Sequence, residues 1–172
     1  MSLSSKQCFP PVVDADTEVL ILGSLPGDAS LSRAQYYGHP QNQFWRLLGA
    51  VLREDLAALA YPERLAALQV HGYGLWDVIA TAQRPGSLDS AIRNADHNDL
   101  ASLIAQHPRL KYIGFNGKTA ARIGRKQLLG CSATIILLDL PSSSPAYTQP
   151  FEVKLSSWLQ LPRPQQPEST PR

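Results

Sequence analysis

Residues 17–23 read TEVLILG, and residues 24–41 read SLPGDASLSRAQYYGHPQ. The first segment is a short apolar run, without polar alternation, that stops at a glycine. That is the pattern of a strand buried on both faces. The second segment is rich in Gly, Pro and Ser, and about 18 residues of loop inside a compact domain usually carry function. Further along, residues 42–52 (NQFWRLLGAVL) place Phe44, Leu47, Leu48, Val51 and Leu52 at helical spacing. Residues 62–70 read as a second helix, with a proline near its start and Gly72 beyond its end. Residues 74–79 (GLWDVI) form a short strand, and residues 96–106 a third helix with Asp96 as N-cap. Residues 110–115 (LKYIGF) are a strand followed at once by a helix over 118–129. Residues 134–140 (TIILLDL) are the last clear strand, and 151–159 a closing helix.

Strands that alternate with helices, and are themselves continuous apolar runs, predict an α/β fold. It has three layers, α/β/α, around a central four-stranded parallel sheet. Ligands in such folds bind outside the carboxyl ends of the strands. The loops that leave those ends, 23–42, 116–118 and 141–147, are therefore the expected site.

The 172 residues suit one domain, expected over 1–161. Residues 162–172 (PRPQQPESTPR) have four prolines and no apolar face, which predicts a disordered tail. A formal net charge of +2 is too small to identify a nucleic-acid partner by itself. Cys8 and Cys131 lie far apart and outside any CxxC, which excludes a four-cysteine iron–sulfur cluster and fits a reduced cytoplasm. No signal peptide and no membrane span is legible. His39, His71, His97 and His107 lack metal-ligand spacing, so neither metal nor cofactor is expected. Residues 114–119 (GFNGKT) have two residues between their glycines where a P-loop needs four. A single phosphate could still bind at that helix start, beside Lys118 and Thr119.

Two stretches exceed generic α/β chemistry: GSLPGDASL…QYYGHPQNQFW over 23–45, and LPSSSPAY over 140–147. Together they resemble the opening and closing motifs of the uracil-DNA glycosylase superfamily. In detail they look most like its hypoxanthine-DNA (deoxyinosine) glycosylase branch. GLWDVI, RPGSLDSAI and FNGKTAA fall where that branch has corresponding segments. The resemblance spans about 19–159 and implies a monofunctional enzyme of DNA base-excision repair. Such an enzyme flips a deaminated base out of DNA and hydrolyses its N-glycosidic bond. Hypoxanthine is the implied base, with uracil and xanthine as weaker substrates. Leu25 stands where the mismatch-specific uracil branch has a water-polarising Asn, which argues against strong uracil excision.

The chemistry asks the protein to hold the base, stabilise its developing negative charge and place a water under C1′. The resemblance assigns the catalytic role to Asn42, whose amide could serve either the leaving base or the water; Asn is also a good helix N-cap. Tyr37 is implied to stack on the flipped base, and His39 to donate to the base or a phosphate. Gly23, Ser24 and Leu25 would offer backbone N–H groups, Pro26 would fix the turn, and Gly27 would permit close approach. Ser142, Ser143 and Ser144 would bind DNA phosphates and carry a loop into the minor groove. Lys118, Arg122, Arg125 and Lys126 share one helical stripe that could track a DNA backbone or simply face solvent. No lysine lies within the two motifs, so a Schiff-base lyase step is not expected. A monomer is expected. Two alternatives stay open on the sequence: a DNA- or nucleotide-binding protein of this fold without activity, and a small-molecule nucleoside hydrolase.

Overall fold

The structure is a computed structural model and describes residues 4–131 and 134–164. At its centre lies β2 (Val19–Gly23), buried at every residue. It pairs in parallel with β3 (Tyr73–Asp77) on one side and β6 (Tyr112–Asn116) on the other, and β7 (Ile136–Leu140) continues beyond β6. The order is β3-β2-β6-β7, the expected four-stranded parallel sheet.

Alternation along β2 divides the core. Val19 and Ile21 pack on one face with α2 (Phe44–Leu52), α3 (Tyr61–Val70) and α6 (Phe151–Trp158). Leu20 and Leu22 pack on the other with α4 (Leu100–Gln106) and α5 (Lys118–Gln127). Successive strand residues point to opposite faces, so a strand covered on both sides must be apolar throughout. The result is the three-layer α/β/α architecture read from the sequence.

Three elements differ from expectation. The long loop contains a short helix, α1 (Asp28–Arg33), that buries only Ser30 and so has no apolar stripe to reveal it. A second, antiparallel sheet joins β1 (Ser5–Gln7), β4 (Ile79–Gln83) and β5 (Arg93–His97) in the order β1-β4-β5. β5 takes Asp96 into a strand, where its carboxylate accepts a hydrogen bond from the Thr81 hydroxyl. Asp96 is therefore not the N-cap of α4. Asp99 is, accepting from the Ser102 N–H at 3.0 Å.

Residues 162–164, read as the start of a disordered tail, pack back on the sheet's amino end. The Pro162 carbonyl accepts from the Tyr73 hydroxyl, and Pro164 lies against Gly72. Residues 165–172 lie outside the described residues. No helix among the described residues is long and apolar enough to cross a membrane.

Candidate active site

Sheet register places Gly23 opposite Asp77, and Asn116 opposite Leu140, at the carboxyl edge. A cavity of about 410 Å³ opens there. Its walls include Gly23 to Gly27, Tyr37, His39, Asn42, Asn116 and the 142–147 loop, so all three expected segments converge on it, the second through Asn116 at the end of β6. A further segment, Ser87 to Asp89, completes the wall.

Asn42 sits one residue before the N-cap of α2, half-buried. Its side-chain carbonyl accepts the Phe44 N–H at 2.9 Å. The two readings of this residue are thus joined: the cap uses Oδ1, and that bond fixes the amide's orientation. Nδ2, with two hydrogens, remains to donate towards the cavity. A group held this way serves an acceptor or a developing anion and does not accept a proton from water. His39 is exposed at the rim, and its Nδ1 accepts the Gln41 N–H at 3.0 Å. In the neutral ring this leaves the proton on Nε2, free to donate outward.

Tyr37 holds a left-handed backbone (φ 54°) and stacks on Phe44 with ring centroids 3.9 Å apart. It lines the cavity together with Tyr36, which is otherwise buried in the core and donates its hydroxyl to the Pro10 carbonyl. The Tyr37 hydroxyl is buried beside the Asn116 amide.

The Gly23–Gly27 turn is fixed from beneath by Arg84, a residue the sequence reading passed over. Its side chain is fully buried and donates to the carbonyls of Leu25 and Pro26. It also lies 3.7 Å from Asp89, whose carboxylate accepts the Ser24 hydroxyl at 2.7 Å. With those carbonyls engaged, the Ser24 and Leu25 amides donate to no protein group among the described residues. Leu25 itself is buried in the core below.

The serine loop divides by role. Ser143 is fully buried; its Oγ accepts from the Asn116 side-chain Nδ2 at 2.9 Å, and its N–H donates to the Asn116 side-chain Oδ1 at 2.9 Å. Its own carbonyl accepts from Gln43 N–H. The expected phosphate contact from its hydroxyl is therefore corrected: Ser143 clamps the loop to β6 and α2. Ser142 and Ser144 are half-buried, and each hydroxyl oxygen accepts one backbone N–H, which leaves the O–H to donate outward. Lys118 is exposed in the first turn of α5, outside the cavity wall.

The other residue the sequence reading missed is Asp77. It is 3% exposed, and its Oδ2 has no hydrogen-bond partner among the described residues. Burial, with Asp89 nearby, pushes its pKa up to about 7, against the opposing pull of Arg84. A charged residue inside an apolar strand was the available signal, because carboxylates are almost never buried unless paired.

A family model described as the uracil DNA glycosylase superfamily matches residues 10–161. A protein from Methanosarcina barkeri named hypoxanthine DNA glycosylase is 43% identical over 156 residues, covering 90% of this chain and 96% of the relative. A namesake from Methanosarcina acetivorans is 42% identical over 153 residues, covering 89% and 95%. The solution structure of a candidate uracil DNA glycosylase from Methanosarcina acetivorans superposes with a TM-score of 0.82. Its sequence identity is 40%, and the match covers 92% of this chain and 96% of that one.

Proposed function

The chain belongs to the uracil-DNA glycosylase superfamily, and on that premise we propose that it releases hypoxanthine from DNA by hydrolysis. The observation that carries the base class is the buried carboxylate of Asp77, whose Oδ2 has no partner among the described residues, lining the same cavity as Asn42. Hypoxanthine presents an N1–H donor next to the O6 acceptor. Adenine presents a bare N1 lone pair next to an amino group. An ionised carboxylate accepts the N1–H of the first and repels the N1 lone pair of the second. Uracil and xanthine share the N–H beside a carbonyl and enter the same class. A site built around an N–H rejects the analogue that lacks it far more strongly than an apolar pocket could.

In the proposed reaction Tyr37 stacks on the extruded base, and Asp77 accepts its N–H. The Asn42 Nδ2 donates to the base as negative charge grows on it. Water adds its oxygen to C1′ and gives up a proton to solvent while the C1′–N9 bond breaks, and the base leaves as an anion that takes one proton back from solvent. The free Ser24 and Leu25 amides are further donors at the cavity wall. His39 at the rim, with the Ser142 and Ser144 hydroxyls and Lys118, contacts phosphates. The enzyme acts as a monomer in the cytoplasm, on duplex DNA with single strands as a further substrate.

Duplex and single strands carrying one hypoxanthine, uracil, xanthine or adenine provide the test. Release of hypoxanthine, with adenine left intact, is the expected result. Binding without release would support an inactive DNA-binding protein instead, and cleavage of free inosine with intact DNA a nucleoside hydrolase.

Gly23 gives a second expectation. A Cβ there would lie 2.6 Å from Asp77 Oδ1 and 2.9 Å from the Tyr37 hydroxyl. Gly23→Ala must displace one or both. Misplacement on the scale of 1 Å lowers turnover by up to about 100-fold. Single-turnover excision should fall by tenfold or more, with KM for DNA little changed. Wild-type turnover would mean neither group is held where the base needs it.

A further inference from the structure

The basic stripe of α5 does not act as one surface. Arg125 turns towards β7, pairing with Asp139 at 3.0 Å and lying over the Phe115 ring. Arg122 and Lys126 instead face a groove between α5 and the β4–β5 hairpin, of about 760 Å³. The hairpin contributes Arg93 and His97 to it, and α5 adds Thr119 and Gln127. Its floor is apolar, formed by Ile79, Ile92, Ala95 and Ile123.

The groove's charge is unbalanced. Arg122 and Lys126 are exposed and make no ion pair among the described residues, and Arg93 donates only to the backbone carbonyls of Ser90 and Ile92. The single acidic lining residue, Asp89, is already matched to Arg84 and Ser24. The Gln127 side-chain amide supplies an independent sign of a missing ligand: its Nε2 is buried without a partner among the described residues. An unpaired buried donor is unfavourable unless something accepts from it. Asp89 also lines the catalytic cavity, so cavity and groove adjoin at that residue.

We propose that this groove holds the phosphates of the DNA strand as it leaves the catalytic cavity, with Arg122 and Lys126 on the backbone and Gln127 donating to a phosphate oxygen. Three cations and an amide suit phosphodiester oxygens. The aliphatic floor suits sugar edges and holds no aromatic ring to stack a base. The proposal rests on the DNA glycosylase reading for its ligand, and the experiment separates the two.

Arg122→Gln with Lys126→Gln removes both charges from exposed positions. Binding is measured against salt on undamaged duplex and on duplex with one 2′-fluoro-deoxyinosine, whose fluorine slows cleavage by destabilising the cationic sugar. Each lost phosphate contact removes about 0.9 from the slope of log K against log salt. The double variant should therefore lose about 1.8 in slope and bind roughly 60-fold more weakly at 0.1 M salt. Shortening the duplex to one nucleotide on one side of the lesion should abolish the difference between variant and wild type, while the same truncation on the other side should not.

The inference is overturned if the slope is unchanged, or if neither truncation restores equality. It is also overturned if Arg109→Gln with Lys111→Gln, which do not line the groove, lowers the slope equally. A wild type that excises nothing would defeat the enzymatic reading, while the slope on undamaged duplex would still decide the groove.

Discussion

Asn42→Ala is expected to lower hypoxanthine excision by about 10²–10³ in single-turnover rate, the range found when one preorganised donor to a developing anion is removed. The difficulty is that the same side chain caps α2 through Oδ1. Loss of such a cap lowers stability by about 0.5–2 kcal/mol. A weakened helix could therefore imitate a catalytic defect. Asn42→Asp separates the two. A carboxylate caps as well as an amide and is of nearly equal size, but it has no hydrogen to give. Asn42→Asp should keep the wild-type melting temperature and lose at least as much activity as Asn42→Ala. Its negative charge would also oppose the anion forming on the base. If Asn42→Asp turns over normally, the donor role assigned to Nδ2 is wrong and only the cap remains.

The parallel sheet was legible because burial on both faces leaves no choice of residue. The run VLIL in β2 is explained by core packing on each side and by nothing else. Three further apolar runs followed, the last of them the half-exposed edge strand β7, and the carboxyl-end rule located the loops before any geometry. Asn42, Tyr37 and the Gly23–Gly27 turn were found because their motif is contiguous in the chain. Elements stabilised by partners distant in sequence were not legible. β5 has four of its five residues exposed and two register shifts against β4, so its alternation is blurred. Arg84 and Asp77 act through groups about 55 residues back in the chain, and no local pattern announces such pairs. Ser143 shows the converse error. A serine in a loop reads as a surface hydroxyl, and only the Asn116 amide, placed by the end of β6, reveals that it is a buried clamp.

Asp77 gives the second large expectation, because its ionisation links activity to pH and activity to stability. The groups around it are Arg84, which favours the charge, and Asp89, which opposes it, with the Tyr36 and Tyr37 hydroxyls and the Cys8 thiol nearby. Only the ionised form both accepts N1–H and repels adenine, so kcat/KM for hypoxanthine should rise with pH as one proton leaves near pH 7, then level off. Asp77→Asn should flatten that rise. It should also lower hypoxanthine release by about 10- to 150-fold, the value of a hydrogen bond to a charged group at about 1.5–3 kcal/mol. Stability should move the other way. Burial raises the folded-state pKa above the unfolded value of about 4, so the native state holds this proton more tightly. The contribution is intact below about pH 4 and is lost as pH rises to about 7, reaching about 4 kcal/mol at most. Asp77→Asn carries no such penalty, so its melting temperature should match the wild type at pH 4 and exceed it at pH 8. A wild-type rate profile flat between pH 5 and 9, together with an Asp77→Asn enzyme of full activity, would remove the carboxylate from base recognition. A charge held at a stability disadvantage in the wall of a cavity, with one oxygen unpaired, is otherwise without a physical reason to be there.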